Sequence, residues 1–304
     1  MKNILVTGVY GFIASNYINY SVLKYPKYNF IGIDKVDYCS SFNNVTVHDQ
    51  KNFTFVKGDI CSTDLINFIL DTYEIDTIIH FAAQSHVDNS FSNSLQYTRD
   101  NIVGTHTLLE CSRIHTKIEK FIHVSTDEVY GESMLKHDEK KKTEQSVLCP
   151  TNPYAATKAG AELIAMSYYH SYKMPIIVTR GNNVYGPRQY PEKLIPKFIC
   201  LLKNNKKVTI HGAGKTVRAF IHVNDVSSAF DTILHKGEIG EIYNIGTNNE
   251  HSVMDVTKLL IEKIKNEDHQ TGITDFINVS VFYNVSVNNS LVKQDLFDLT
   301  NLNS

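Results

Sequence analysis

The chain has 304 residues, 42% of them apolar and 20% charged, with a formal net charge of −2. That balance is the composition of an ordinary globular protein and excludes a disordered, fibrous or disulfide-built chain. It also offers no basic face for nucleic acid or an anionic membrane, so any partner is chosen by local sites.

Met1 and Lys2 lead directly into the strand-like Asn3 to Thr7, an opening expected of a chain without a signal peptide. No later apolar stretch is long enough to span a bilayer. Cys39, Cys61, Cys111, Cys149 and Cys200 are odd in number, scattered and never in CxxC spacing. They read as small hydrophobes in a reducing compartment, with no metal site expected and the cytoplasm as the location.

In chain order, the β-branched runs Ile4 to Thr7, Phe30 to Asp34, Phe53 to Lys57, Thr77 to Phe81, Phe121 to Ser125 and Ile176 to Arg180 predict strands buried on both faces. Between them, Leu65 to Tyr73, Thr98 to His115 and Tyr154 to Tyr172 carry apolar residues at helical spacing. This alternation predicts an α/β fold, a Rossmann-type doubly wound parallel sheet, over residues 1–181. A smaller C-terminal substrate lobe is expected over 182–267, with some segments returning to the first domain. Its pieces are a helix at Leu194 to Asn204, a strand at Val208 to His211, a helix at Val223 to His235, a strand at Ile242 to Ile245 and a helix at Val253 to Ile264. Residues 268–304 form a polar, divergent tail without clear periodicity.

Gly8-Val9-Tyr10-Gly11-Phe12-Ile13-Ala14 lies between the first strand and the first helix. Glycine there allows a tight turn and lets backbone N–H groups approach a pyrophosphate at the helix N-terminus. A glycine pair alone also fits a simple β-to-α turn. Asp34 strengthens the cofactor reading, because an acid ending the second strand can accept hydrogen bonds from both ribose hydroxyls of an adenosine. It would repel a 2′-phosphate, which favours NAD over NADP, although neighbouring Lys35 could partner such a phosphate. Asp59-Ile60 after the third strand could hold the adenine edge. Phe81-Ala82-Ala83 after the fourth provides small residues where the backbone passes close to the cofactor.

Tyr154 and Lys158 stand four residues apart, on one helix face. Tyr20 with Lys24 and Tyr169 with Lys173 share that spacing, so position decides. Only Tyr154 begins its helix, just after the fifth strand and its loop. A lysine cation and a nicotinamide would both favour the phenolate and bring a tyrosine from its usual pKa of about 10 toward the operating pH. Upstream, Ser125-Thr126-Asp127-Glu128-Val129-Tyr130 delivers a hydroxyl and two adjacent carboxyls to the same sheet edge. Adjacent acids are usually a solvated loop, but this run is flanked by apolar residues. Paired carboxyls in different environments separate into an acid and a base, and elimination of water needs both.

With these residues in place the chain resembles the extended short-chain dehydrogenases/reductases, and within them the nucleotide-sugar 4,6-dehydratases of the dTDP-glucose type. The resemblance covers roughly residues 2–265. It rests on TGVYGFIAS, GDI, HFAAQSHVDNS, NIVGT, VSTDEVYG, NPYAATK, NNVYGPRQYPEKLIPKF, RAFIHVNDV and EIYNIGTNNE. It implies that Tyr154 oxidises the glucose C4 with Lys158 orienting it, that Thr126 holds the C4 oxygen, that Glu128 takes the C5 proton and that Asp127 protonates the departing C6 hydroxyl. NAD would be regenerated in each turnover. Substrate contacts would fall on Ser85, Asn183, Glu192, Lys193, Leu194, Arg218 and Asn249. A homodimer is implied through the helices at Thr98 to His115 and Tyr154 to Tyr172, with Ile102, Leu108, Leu109, Leu163 and Ile164 as the apolar positions that interface or core would use.

The chain departs from the family at its end. Resembling enzymes carry Asp-Arg-Pro-x-x-Asp-x-Arg-Tyr where this chain reads Asn278 to Ser286, and no arginine follows Arg218. The tail is therefore expected to contribute little to a diphosphate site. The expected activity is NAD-dependent dehydration of a dTDP- or UDP-glucose. The alternatives are a 4-epimerase or decarboxylase of the same fold, against which the two acids argue, and a catalytically impaired nucleotide-binding protein.

Overall fold

The computed structural model of the protein describes residues 2–131, 141–210, 214–248, 250–267 and 285–287, the last of these and 265–267 through the backbone. Seven parallel strands form the main sheet in the order β9-β6-β5-β4-β1-β2-β3, and an antiparallel strand, β11, closes the β9 edge. They are β1 (Asn3–Thr7), β2 (Asn29–Asp34), β3 (Phe53–Lys57), β4 (Thr77–His80), β5 (Lys120–Thr126), β6 (Ile176–Gly181), β9 (Ile242–Thr247) and β11 (Val285–Val287). A second sheet, ordered β10-β8-β7, comprises β7 (Asn183–Tyr185), β8 (Val217–His222) and β10 (Glu250–Ser252). The helices are α1 (Phe12–Lys24), α2 (Thr63–Thr72), α3 (Val87–Ser92), α4 (Ser94–Tyr97), α5 (Gly104–His115), α6 (Pro153–Tyr172), α7 (Leu194–Lys203), α8 (Val223–Lys236) and α9 (Val253–Glu267).

Alternation along β1 shows why the sheet is covered on both sides. Ile4 and Val6 pack among Tyr17, Ile18, Phe230 and Ile233 of α1 and α8. Leu5 faces the other way, among Ile69, Leu70, Leu108 and Leu109 of α2 and α5. Burying each such side chain is worth roughly 1.5–3 kcal/mol. Strand order reverses at β1, which lies between β2 and β4, so the crossovers diverge there and open a crevice at the carboxyl ends of the strands.

Segments after Gly181 divide between two structures. Strand β9 pairs with β6, and α8 packs on α1. The small sheet instead builds its own cluster from Tyr185, Phe198, Phe220, Val256 and Leu260, with α7 and α9.

Several expectations require correction. Val208 to Ile210 form no strand; Val208 and Ile210 bury part of their surface against the small cluster, so their β-branched character serves packing without a ladder. His211 lies outside the described residues. The helix expected from Thr98 begins with a π-helical turn, Thr98–Val103, before α5. Leu108 and Leu109 are fully buried core residues, unavailable to a partner subunit, whereas Leu163 is 62% exposed. Within the tail, β11 pairs with β9 where no element was expected, and the remainder of that stretch lies outside the described residues.

Candidate active site

The crevice is lined from all seven parallel strands of the main sheet. Gly8 follows β1 with φ +67, and a Cβ there would stand 2.8 Å from the Ala82 Cα, so the turn admits only glycine without strain. Gly11 begins α1 without any side-chain cap, and Gly11, Phe12, Ile13 and Ala14 line the crevice. First-turn N–H groups without a side-chain acceptor suit a pyrophosphate.

Asp34 is buried at the end of β2, where its carboxylate accepts from the Tyr10 and Val36 N–H groups at 2.9 and 2.7 Å. Burial nevertheless holds its pKa above the ordinary carboxyl value, the backbone and Ser40 hydrogen bonds opposing. Lys35, which the sequence leaves open as a phosphate partner, is committed elsewhere. Its ammonium donates to Asp100 at 2.5 Å and pairs with Asp37 at 3.2 Å. Asp59, Ile60, Phe81, Ala82 and Ala83 also line the crevice, completing a cradle that fits a dinucleotide lacking a 2′-phosphate.

Sequence reasoning missed Gln84, Asp100 and Asn101, and the π-helical turn explains why. Widening the helix there turns Asp100 and Asn101 toward the loop after β4. Asn101 accepts from the Gln84 N–H at 2.7 Å and donates to the Gln84 carbonyl at 3.0 Å and to Thr157 of α6 at 2.9 Å. The NIVGT run, which begins at Asn101, was the available signal.

The second half of the crevice carries the chemistry. Thr126 ends β5 and caps a 3₁₀ turn, Asp127–Tyr130, its hydroxyl accepting from the Glu128 N–H at 3.3 Å. The same hydroxyl donates to Asp127 at 3.2 Å and lies beside the Tyr154 phenol. Tyr130 anchors the far end of the turn, donating to Asn244 of β9 at 2.7 Å and accepting from Arg180 of β6 at 2.7 Å. Arg180 forms a buried ion pair with Glu162, one helical turn beyond Lys158 on α6. Asn152 precedes α6, accepts from the Ala155 N–H at 2.8 Å and donates to Glu128 at 3.0 Å.

Burial, and then the charge of Glu128, raise the pKa of Asp127 to about 6, against the hydrogen bond from Thr126 and the charge of Arg218. Asp127 therefore holds its proton closer to neutrality than an ordinary carboxyl. Lys158 donates to the Val124 carbonyl at 2.6 Å, and burial lowers its pKa to about 8, opposed by Glu162. Tyr154 departs from expectation. Its phenol lies above the ordinary tyrosine value, raised first by burial and then by Glu128, with Thr126 opposing. The protein's own groups do not bring it down, because burial disfavours both the phenolate and the ammonium.

Ser85, Asn183, Glu192, Lys193 and Leu194 line the same crevice. Lys193 donates to the Ser85 carbonyl at 2.9 Å, and Glu192 lies 3.6 Å from His86 and 3.3 Å from the Tyr38 hydroxyl. Arg218 is exposed on β8 and does not line the crevice, yet its charge reaches Asp127. Asn249 lies outside the described residues. Among the described residues no helix is long and apolar enough to cross a membrane.

Residues 5–296 match the family model described as GDP-mannose 4,6 dehydratase. The chain belongs to that family. Among curated relatives in it, the trifunctional UDP-glucose 4,6-dehydratase/UDP-4-keto-6-deoxy-D-glucose 3,5-epimerase/UDP-4-keto-L-rhamnose-reductase of Arabidopsis thaliana is 56% identical over 84% of this chain and 38% of its own length. The dTDP-D-glucose 4,6-dehydratase of Homo sapiens is 47% identical over 91% of this chain and 78% of its own. The chain thus spans well under half of the plant protein. A crystal structure of dTDP-glucose 4,6-dehydratase from Bacillus anthracis in complex with NAD superposes with a TM-score of 0.81 at 41% identity, covering 87% of this chain and 82% of that one.

Proposed function

We propose that the protein is a hydro-lyase that converts a nucleoside-diphosphate glucose, dTDP- or UDP-linked, to the 4-keto-6-deoxy sugar nucleotide. The observation that carries this reading is the 3₁₀ turn that sets Asp127 and Glu128 side by side against Tyr154, with Thr126 between. An epimerase of this fold needs the tyrosine but has no use for an adjacent acid and base. Relatives named for UDP-glucose and for dTDP-glucose dehydration support the substrate class.

NAD, when bound along Gly8, Gly11 and Asp34, supplies the acceptor for the hydride leaving C4, its return to C6, and a positive charge beside the phenol. Tyr154 takes the C4 hydroxyl proton, with Lys158 at the same helix face and Thr126 holding the oxygen. Glu128 removes the C5 proton, made acidic by the C4 ketone. Asp127 gives its proton to the C6 hydroxyl, which departs as water. Glu128 then returns a proton to C5, the proton taken by Tyr154 is returned through solvent to Asp127, and the net change is the loss of one water. Asp127 with a pKa of about 6 suits the acid.

The smaller lobe, within 182–267, would hold the nucleotide through Asn183, Glu192, Lys193, Leu194 and Asn249, with Ser85 facing it and Arg218, outside the crevice lining, acting on the diphosphate only through its charge. A homodimer through α5 and α6 fits the face of Ala156, Gly160, Leu163 and Ser167, small or apolar residues at spacings of four, three and four on α6 that are exposed except for half-buried Gly160. The cysteines of the described residues are all free, as a reducing cytoplasm requires.

Incubation of purified protein and NAD with dTDP-glucose and with UDP-glucose, with product analysis by mass and NMR, tests the reading. Loss of water with a C4 ketone and a C6 methyl group is expected. A C4-epimerised sugar, or no turnover of either nucleotide, would overturn it.

A further inference from the structure

We infer that Asn152 is a positioning residue for Glu128, fixing the carboxylate that takes the C5 proton to the helix that carries Tyr154. The inference rests on the proposed dehydratase reading and extends it to a residue outside the reacting set.

The geometry leaves the amide a single orientation. Asn152 has extended backbone, φ −137 and ψ 161, and is the N-cap of α6. The Ala155 N–H can only donate, so the atom 2.8 Å from it is the amide oxygen. The amide nitrogen is thereby aimed at Glu128 Oε2, 3.0 Å away. One planar group caps the helix and grips the base at once. Glu128 thus lies beside the N-terminal end of α6.

A capping role by itself does not require this side chain. Serine, threonine and aspartate cap helices about as well as asparagine. Only asparagine among them also presents an N–H donor to a neighbouring carboxylate. Tyr130 ties the other end of the Asp127–Tyr130 turn to β6 and β9, so Asn152 is the contact that ties the base itself to α6. The charged and titratable groups that act on this turn are Asp127 beside Glu128, Tyr154 on α6, Lys193 at the start of α7 and Arg218 on β8, with Arg180 on β6 and Glu144 acting on Tyr130 at its far end.

Two capping-competent variants separate the roles. Asn152→Ser keeps the cap and removes the amide N–H that reaches Glu128, leaving only a shorter hydroxyl; Asn152→Asp keeps the cap and places a like charge against Glu128. Both should melt within a few degrees of wild type and reduce the bound cofactor at an unchanged rate when sugar nucleotide is mixed in. Loss of deuterium from C5-deuterated substrate should slow about ten-fold in Asn152→Ser, the effect of one charge-assisted hydrogen bond. It should slow further in Asn152→Asp, whose acid limb in kcat/KM moves to higher pH because repulsion disfavours the base form. In a Glu128→Gln background, Asn152→Ser should add no further loss. If wild type turns over and both variants exchange C5 deuterium within two-fold of it, Asn152 is only a cap and the inference falls. If wild type is inert on both sugar nucleotides, the dehydratase reading itself fails and takes the inference with it.

Discussion

A tyrosine four residues before a lysine occurs at Tyr20, Tyr154 and Tyr169, and only their surroundings distinguish them. Tyr20 accepts from Lys24 at 2.5 Å on the outer face of α1, where Lys24 also pairs with Asp231. Tyr169 packs against Gly240, remote from the crevice lining. Tyr154→Phe should therefore abolish C4 oxidation, while Tyr20→Phe and Tyr169→Phe stay within a few-fold of wild type in cofactor reduction; equal losses in all three would contradict the assignment. Asp127 offers a test through stability. Its folded pKa of about 6 exceeds that of an unfolded aspartate, so its contribution to native stability is fully present below about pH 4 and is lost as pH rises through 6. Asp127→Asn removes that penalty. The variant should melt above wild type near pH 8, match it near pH 4, and lose about 10² to 10⁴ in water elimination. A constant difference in melting temperature across this range would show that the carboxyl does not titrate as described.

At the scale of elements, the glycine turn and the π-helical turn contrast in how legible they were. Gly8 and Gly11 could be located from their place between the first strand and the first helix, and at Gly8 the left-handed turn imposes a local backbone demand that only glycine meets without strain. Gly8→Ala should cost about 1–3 kcal/mol through its positive φ and its approach to Ala82. Calorimetry should find cofactor affinity lowered along with the melting temperature; unchanged NAD binding would remove this turn from the cofactor site. Asp100 and Asn101 were not legible, since helical periodicity at 3.6 residues per turn assigns their direction wrongly when the helix widens. Val208 and Ile210 failed for a related reason: β-branched residues mark burial as readily as strand pairing, and the sequence does not show whether a partner edge exists.

For the molecule as a whole, the proposed dimer makes the most exposed test. Leu163 is 62% exposed on α6 and contributes little to the core of its own subunit. Leu163→Asp should leave the thermal transition of the fold in place yet shift sedimentation toward a monomer at micromolar concentration. A wild-type monomer under the same conditions would refute the dimer. Ion pairs of this kind of surface contribute about 0–1 kcal/mol each, so a buried apolar face must provide most of the association energy.

The parallel sheet, the crossovers, the glycine turn after β1 and the meeting of Thr126, Asp127, Glu128, Tyr154 and Lys158 at one sheet edge were determined by the sequence itself, because each depends on local periodicity, turn chemistry or strand-end position. Tertiary structure alone decided what lies beside them. It committed Lys35 to Asp100, drove Leu108 and Leu109 into the core, left Arg218 exposed and placed Asn152 against Glu128. These outcomes join residues far apart in the chain, and electrostatic and packing partners at such separations are set by how the strands and helices meet. Burial likewise raised Asp127 and Tyr154 and lowered Lys158, since the cost of a charge depends on the surroundings that the whole fold supplies.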